Sequence, residues 1–230
     1  AMENKYIHSS KVFEAKFRQF VRIFSMDLNV TQLAQVAGLN SNTASGLLQG
    51  IRERIDLACE AESPAFGEVE FDESYLALGA LKAPEAVEPE EKTSFCLFKR
   101  QGRVYTEIVP DCYRATSQDI VRGRVDPESV ILSDGWYGYN GLVVLGYQKH
   151  YWAQHGKNEF VNEHSHINGI ESFWAYAKTR LVRFRGMQKH SFYFHLKACE
   201  FRFNHRYEDL YKIVLKMCRE LPLCYTWPKF

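Results

Sequence analysis

The sequence predicts two parts, a small all-α domain followed by an α/β domain that has a mixed sheet and flanking helices. Through residues 9–55, apolar residues recur at helical spacing. From residue 68 onward, segments of β-type alternation are followed by alternating helical and strand segments, and then by helices alone. We therefore expect a first domain over residues 1–62 and a second domain over residues 63–230 that includes the C-terminal helices.

The first long helix is predicted over residues 9–26, which begin with two serines. Its apolar positions, three or four residues apart, are Val12, Phe13, Phe17, Phe20, Val21 and Phe24. A shorter helix follows, with Thr31 as its cap and with an apolar face made of Leu33, Val36 and Ala37. One face of each helix is expected to be buried.

Residues 31–55 have the pattern of a helix-turn-helix, because Gly38 ends the short helix and a second helix starts at Ser41 or Asn42. In proteins that bind DNA through this motif, the N-terminal side chains of the second helix reach base edges in the major groove. The polar candidates for such contacts are Ser41, Asn42, Thr43, Ser45 and Gln49, with Arg52 and Arg54 further along for phosphates. A plain three-helix packing unit would have the same pattern.

The second domain opens with three consecutive strands of antiparallel type, over residues 68–78, 93–100 and 102–109. Two more strands are predicted at residues 129–134 and near residues 150–154, separated by helical segments at residues 115–124 and 139–146. From residue 166 the chain is predicted to be helical. Residues 81–92 are rich in Pro and Glu and indicate a solvated loop.

Composition excludes several classes of protein. No segment approaches the roughly 18 apolar residues of a membrane span, and no signal segment is apparent, so we expect a cytoplasmic protein without a membrane partner. The six cysteines include no C-x-x-C pair, which argues against a zinc ribbon. Residues 63–149 carry 9 Lys and Arg against 14 Asp and Glu, whereas residues 150–230 carry 13 against 7. An acidic middle and a basic end suit one surface for metal and another for a polyanion.

Two aspartates occupy unusual places in the predicted strands. Asp72 lies inside an otherwise apolar strand, and Asp134 ends another strand directly before Gly135. A carboxylate at the end of a buried strand needs a cation or a hydrogen-bond donor, and α/β proteins build their sites at such strand ends. Either aspartate taken alone is equally compatible with a simple turn.

A third acidic residue, Glu171, lies in a helix whose apolar stripe is Ile170, Phe173, Trp174, Ala177 and Leu181. Lys178 follows Glu171 by seven residues, which puts both on nearly one face, about 10 Å apart along the axis. This spacing suits two groups that touch one extended ligand better than a salt bridge. Further basic residues continue the helix as a ridge suited to phosphates: Arg180, Arg183 and Arg185. A solvated helix face is the alternative.

Three motifs together carry a family resemblance: DES at residues 72–74, SDGWYGY at residues 133–139 and H-x-N-G-I-E-S-F-W-x-x-x-K at residues 166–178. The chain resembles bacterial insertion-sequence DDE transposases, in the subgroup with a lysine seven residues after the glutamate (DDEK). The resemblance runs from about residue 30 to residue 206. It implies an RNase H-like domain of the retroviral-integrase type. Two features depart from relatives: no N-terminal zinc ribbon is present, and the loop at residues 81–92 is acidic instead of basic.

The resemblance further implies a function and a site. Asp72, Asp134 and Glu171 become the catalytic triad and the ligands of two Mg²⁺ ions, for which Mn²⁺ can substitute, and Lys178 becomes a DNA contact. The reaction implied is cleavage at insertion-sequence ends and transfer of the 3′-hydroxyl into target DNA. The partners implied are double-stranded DNA and a second copy of the chain in the DNA complex. Two alternatives stay open: a retained relative that binds DNA without mobilising it, and a regulator that binds a small ligand.

Other residues near the three motifs are weaker candidates. Trp136 and Tyr137 could stack on an unpaired base or pack in the core, and His166 and Asn168 could contact the DNA end. His155, His164 and His166 have loose spacing for zinc ligands and no nearby cysteine, so DNA contact or helix capping is the favoured role. Trp174 falls on the apolar stripe and is expected in the core.

Overall fold

Six helices and seven strands are found in the residues that the computed structural model describes: 4–62, 67–77, 91–99, 102–109, 125–133, 149–152, 168–184 and 189–224. The chain forms two units, one of Ala1–Ala61 with His205–Phe230 and one of Glu62–Asn204. The sequence had assigned the C-terminal residues to the second domain, whereas they lie in the first unit. None of the described helices is long and apolar enough to cross a membrane.

The first unit contains helices α1 (Glu14–Ser25), α2 (Val30–Ala37), α3 (Ser41–Ala61) and α6 (Leu210–Glu220). Helix α1 packs against α2 and α6, and α3 packs against α2 and α6. Their shared core includes Phe17, Phe20, Leu33, Leu47, Ile51 and Val214, all buried. The C-terminal helix therefore supplies part of the core that the first three helices bury.

Two apolar residues predicted for this core are exposed. Phe13 is 74% exposed because it occupies the extended N-cap position of α1, before the helical face begins. Val36 is 58% exposed, and Ala34 takes the predicted place of Val36 beside Leu33 and Ala37. Because Ala34 is small, it allows α2 to approach its neighbours closely on that side.

The ends of α2 are set by local hydrogen bonds. The Asn29 side chain accepts from Gln32 N at 2.9 Å and the Gln32 side chain accepts from Asn29 N at 3.3 Å, so Asn29 forms the cap that had been predicted for Thr31. Gly38 ends the helix, as predicted, and adopts the left-handed conformation with φ of 59°. Lys16 of α1 donates to the Ala37 carbonyl at 2.8 Å, which satisfies one of the last carbonyls of α2.

The two chain ends meet within the first unit. Strand β1 (Ile7–His8) pairs in parallel with strand β7 (Leu223–Cys224). Arg54 of α3 donates from Nε to the Leu221 carbonyl and from Nη2 to the Pro222 carbonyl, both at 2.8 Å. The guanidinium of Arg54, predicted to contact phosphate, thus holds the C-terminal segment in this structure.

Helix α6 contains Cys218, which is buried, whereas Cys224 is exposed. Burial raises the pKa of the Cys218 thiol to about 12 from its usual value of 9.0, against an opposing contribution from Arg54. At pH 8 the thiolate fraction of Cys218 is therefore about 1000-fold lower than that of an ordinary thiol. We expect iodoacetamide to alkylate Cys224 readily in the native protein and Cys218 only after unfolding, as measured by peptide mass spectrometry. Equal labelling of both cysteines would show that α6 is not packed against α1 and α3.

The second unit contains a five-stranded mixed sheet in the order β4-β3-β2-β5-β6. Its strands are β2 (Glu68–Ala77), β3 (Glu91–Lys99), β4 (Arg103–Val109), β5 (Val130–Ser133) and β6 (Lys149–Trp152). The pairs β2–β3 and β3–β4 are antiparallel, and the pairs β2–β5 and β5–β6 are parallel. The five predicted strands and the mixed sheet are thus confirmed.

Part of the predicted loop belongs to the sheet, since Glu91 and Lys92 lie in β3, paired with Ala77 and Leu76. Residues 81–90 lie outside the described residues, as do the helical segments predicted at residues 115–124 and 139–146. The alternation of the sequence located the strands to within two or three residues at each end. The start of β3 was missed because charged residues at a strand end look like loop residues.

Helices α4 (Asn168–Leu181) and α5 (Lys189–Asn204) complete the second unit. Helix α4 packs against β2 and β3, and α5 packs along β4 and against α4. The two helices run antiparallel, as the contacts of Phe173 with Phe203 and of Phe184 with His195 show. The predicted stripe of α4 is buried as expected: Ile170, Phe173, Trp174, Ala177 and Leu181.

Candidate active site

The strands that lead to the two predicted catalytic aspartates are neighbours in the sheet. Strands β2 and β5 pair in parallel, and their last paired residues are Phe71 and Ser133. Asp72 is the next residue of β2, and its backbone is paired with Cys96 of β3 on the other side. Asp134 is the next residue of the chain after Ser133 and lies outside the described residues. The residues directly before the two aspartates therefore lie side by side, on strands about 4.8 Å apart.

The helix that carries Glu171 packs on the strand that carries Asp72. Glu171 lies in the first turn of α4 and is exposed, whereas the flanking Ile170 and Phe173 are buried. Because α4 uses its apolar stripe to pack against β2 and β3, the carboxylate of Glu171 stays accessible to solvent. The first turn of a helix also favours negative charge, since the helix dipole is positive at that end.

Lys178 is exposed on the same helix, on the same flank of the buried stripe as Glu171, and Arg183 is exposed beyond the helix end. The seven-residue spacing puts the Cα atoms of Glu171 and Lys178 about 10 Å apart along the helix axis. Both charges are therefore accessible to one extended ligand. Arg185, the last residue of the predicted ridge, lies outside the described residues.

Arg180 was predicted to join the basic ridge, and this prediction is wrong. Its residue is only 5% exposed. Its Nη1 donates to Cys199 Sγ at 3.4 Å, and its guanidinium lies 5.0 Å from the centroid of the Phe184 ring. The reason is helical geometry, because position 180 lies three residues after Ala177 and one before Leu181, on the side that faces α5. Arg180 contributes to the α4–α5 contact instead of a phosphate surface.

The remaining candidate residues of this region are Trp174, Asn168 and five residues that lie outside the described part of the chain. Trp174 is buried against Phe173, with ring centroids 5.2 Å apart, which confirms the prediction that it belongs to the core. Asn168 is the first residue of α4. The other candidates lie outside the described residues: Trp136, Tyr137, His155, His164 and His166.

The helix-turn-helix candidates have different environments on α3. Ser41, Asn42 and Ser45 are exposed in its first two turns, and the Asn42 backbone donates to the Asn40 side chain at 2.7 Å, which caps the helix start. Thr43, Gln49 and Arg52 are half-buried. The Gln49 side chain donates to Glu53 at 3.2 Å, one turn further along. The polar side chains best exposed for base contacts are therefore those of Ser41, Asn42 and Ser45.

Sequence analysis missed a buried polar cluster between α5 and strand β4. Thr106 donates from N and Oγ1 to Glu200 Oε2 at 2.8 and 2.6 Å, and Lys197 Nζ donates to the Thr106 carbonyl at 2.8 Å and to Glu200 at 3.2 Å. Lys197 Nζ also lies 4.0 Å from the Tyr105 ring centroid. Burial raises the pKa of Glu200, whereas Lys197 and the hydrogen bonds from Thr106 oppose this effect. The sequence contains one sign of this cluster. Lys197, Glu200 and Asn204 are three or four residues apart in a helix rich in aromatic residues, so these polar side chains share one face.

The side chains of this cluster form hydrogen bonds with backbone groups of strand β4. Among the described strands β4 lies at the edge of the sheet, so the backbone groups of alternate residues are not paired with any of those strands. Lys197 and Glu200 bond Thr106, and the Asn204 side chain bonds both backbone groups of Val104. Side chains of α5 therefore provide hydrogen-bond partners for the backbone groups of Val104 and Thr106.

A metal site is not visible in the described part of the chain, where no group of three or more His, Cys, Asp and Glu side chains is close enough to hold an ion. The predicted triad includes Asp134, which lies outside that part. Of the three predicted ligands, Glu171 is the one whose side-chain environment is described.

Comparison with known families decides the class of the protein. Residues 64–204 match the family model of the ISXO2-like transposase domain. The chain belongs to this transposase family. The match spans the sheet, α4 and α5, and its last residue, Asn204, is also the last residue of the second unit. The transposase domain therefore contains Asp72, Asp134, Glu171 and Lys178.

Individual proteins are also similar to this chain. An uncharacterized transposase-like protein of Haemophilus influenzae is 39% identical over 102 residues, which cover 44% of this chain and 81% of that protein. Among solved structures, a pre-cleavage Mos1 transpososome shares 11% identity at a TM-score of 0.29, covering 93% of this chain and 80% of that one. The Mos1 strand transfer complex shares 12% identity at a TM-score of 0.30, covering 90% and 80%. These scores are too low to establish a common fold.

Proposed function

We propose that this transposase is a metal-dependent enzyme that cleaves DNA at the ends of its insertion sequence and joins the 3′-hydroxyl to target DNA. Its active site consists of Asp72, Asp134 and Glu171 on an RNase H-like sheet. The observation that carries the proposal is the parallel pairing of β2 with β5 up to Phe71 and Ser133, with α4 packed on β2. This arrangement brings three distant segments of the chain to one part of the sheet.

The residue types fit Mg²⁺, with Mn²⁺ as a substitute. Carboxylate oxygens are the hard ligands that Mg²⁺ requires, and carboxylates gathered without a cation would repel one another. Asp72 follows Phe71 in β2, Asp134 follows Ser133 by one peptide bond, and Glu171 is exposed on the helix above β2. Asp72, Asp134 and Glu171 would hold a pair of Mg²⁺ ions, which would supply charge stabilisation at the attacking and leaving oxygens of the phosphodiester.

The chain's own residues orient the DNA around this site. Glu171 and Lys178 share the exposed side of α4, so Lys178 binds the phosphate backbone about 10 Å from the metal ligand along the helix axis. Arg183 extends the same phosphate contact beyond the helix end. A DNA strand bound by Lys178 and Arg183 presents one phosphate to the carboxylates in a defined orientation.

The helix-turn-helix of the first unit is proposed to recognise the ends of the element. Helix α2, the turn at Gly38 and helix α3 present Ser41, Asn42 and Ser45 to solvent at the start of the second helix. These hydroxyl and amide groups suit base edges and phosphates. Because two ends must be joined in one reaction, the DNA complex is proposed to contain two copies of the chain.

The proposal predicts metal-dependent nicking and joining. The purified chain is incubated with a plasmid that carries the element's own flanking sequences and a target plasmid. We expect nicked and joined products with Mg²⁺ or Mn²⁺, and none after chelation with EDTA, as measured on denaturing gels. A plasmid without the flanking sequences is the control. Specific binding to the ends without cleavage in either metal would indicate a relative that binds DNA and no longer mobilises it.

A further inference from the structure

Asn204, the last residue of α5, makes an unusual pair of hydrogen bonds with the edge strand. Its Oδ1 accepts from Val104 N at 2.7 Å, and its Nδ2 donates to the Val104 carbonyl at 2.8 Å. A side-chain amide provides both a donor and an acceptor, so it can replace a neighbouring strand at one residue. Asn204 thereby fastens the C-terminal end of α5 to β4.

The fastened end of α5 supports the first turns of α4. Phe203, next to Asn204, packs edge-on against Phe173 with centroids 5.3 Å apart at 80°, and lies 5.9 Å from the Tyr176 ring. Phe173 is two residues after Glu171 in the same helix and is fully buried. Val104 belongs to the same apolar cluster as Phe173 and Phe203. A continuous set of contacts therefore leads from the Asn204 amide to the turn that carries Glu171.

Among the described residues, the contacts near the opposite end of α5 involve the end of α4 instead of the turn that carries Glu171. Phe192, near the start of α5, lies in the same apolar cluster, but the helices are antiparallel, so the start of α5 faces the end of α4. Phe184 and His195 are in contact at that end, with centroids 4.6 Å apart. A substitution of Phe192 disturbs the same core at a distance from Glu171, and it therefore serves as a matched control.

We propose that Asn204 is a positioning residue for the active site, which acts by holding Phe203 against α4 so that the Glu171 carboxylate keeps its place. This inference rests on the proposed function, because it requires Glu171 to be a metal ligand. A ligand that gains freedom binds metal more weakly, and loss of a hydrogen bond made directly to a metal ligand lowers metal affinity by about 10- to 100-fold. Because Asn204 acts on Glu171 through packing, its effect is expected at or below the lower end of this range. The hydrogen bonds of Asn204 act on Glu171 through packing, without touching the metal or the DNA.

The test uses the full chain and three substitutions. Asn204→Leu keeps the side-chain size and removes both hydrogen bonds, Asn204→Gln retains both groups on a longer side chain, and Phe192→Leu is the control. Mn²⁺ binding is measured by calorimetry, and hydrogen exchange is measured for the first turns of α4. We expect Mn²⁺ affinity to fall several-fold, up to about tenfold, in Asn204→Leu and less in Asn204→Gln. We also expect faster exchange around Glu171 in the Asn204→Leu variant, with both readouts near wild type in Phe192→Leu.

The outcomes test the positioning role of Asn204 and the proposed active site separately. Wild-type Mn²⁺ affinity in Asn204→Leu, or an equal loss in Phe192→Leu, overturns the positioning role. If Asn204→Leu does not fold, the comparison passes to Asn204→Gln, whose loss must exceed that of Phe192→Leu. A Glu171→Gln variant with undiminished Mn²⁺ affinity and cleavage refutes the proposed active site itself. Weak Mn²⁺ binding by Glu171→Gln together with normal binding by Asn204→Leu refutes only the positioning role.

Discussion

Replacing Glu171 with glutamine is expected to reduce Mg²⁺-dependent DNA cleavage by about 1000-fold or more while the fold stays intact. Glutamine retains the size of the side chain and loses the negative charge that holds a cation. A loss of this size corresponds to about 4 kcal/mol of transition-state stabilisation, within the range that metal-ion catalysis supplies. Because Glu171 is exposed on α4, its replacement removes no core contact, and the melting temperature is expected to stay near that of wild type.

The control for this experiment is the same substitution elsewhere in the transposase domain. Glu128→Gln changes an exposed glutamate in the turn before β5, and full cleavage is expected. Asp72→Asn in β2 is expected to match the loss seen for Glu171→Gln. Single-turnover cleavage rates and DNA binding are measured for all three variants, since binding to the ends is expected to persist. Cleavage by Glu171→Gln within tenfold of wild type would show that this carboxylate is not a catalytic ligand.

Replacing Lys197 with methionine is expected to destabilise the protein by about 3–5 kcal/mol, because it leaves the buried Glu200 carboxylate without its positive partner. Lys197 is completely buried and Glu200 is 1% exposed, so water does not compensate for the lost charge. Methionine fills most of the space of the lysine side chain, which limits the contribution of a cavity. The free energy of unfolding is measured by urea denaturation at constant ionic strength.

The pH dependence of this variant separates the charge effect from packing. Burial raises the pKa of Glu200 above its usual 4.5, and Lys197 opposes the rise, so the variant has a higher folded-state pKa than wild type. A raised folded-state pKa contributes stability below the unfolded pKa, and this contribution is lost as pH rises through the folded pKa. The defect is therefore expected to be smaller at pH 5 than at pH 8.

Two comparisons complete the test of the buried pair. Adding Glu200→Gln to Lys197→Met removes the uncompensated charge, so the double variant is expected to be more stable at pH 8 than Lys197→Met alone. Lys212→Met removes an exposed ion pair with Asp209, 3.5 Å long, and a small effect is expected. A defect of Lys197→Met that is the same at both pH values would attribute the loss to packing instead of charge.

The α4 helix shows how far local sequence determines a site. Its apolar stripe predicted the buried face, and Glu171 and Lys178 are exposed as their spacing indicated. Arg180 was misassigned because four basic residues within eight positions look like one ridge, although Arg180 lies on the side of Leu181. The stripe was determined by helical periodicity, whereas the environment of Arg180 also depends on Cys199 of another helix.

The sequence by itself determined most of the described helices, the five strands of the sheet, the end of α2 at Gly38 and the motifs that identify a transposase, because each depends on residues close together in the chain. Only the tertiary structure decided that β5 lies beside β2, that both chain ends share one unit, and that Lys197 and Glu200 are buried. Arg54 illustrates the reason, since its partners Leu221 and Pro222 lie more than 160 residues away. Local spacing governs which face of an element is apolar, whereas the choice of neighbour depends on packing between distant segments, which local patterns do not encode.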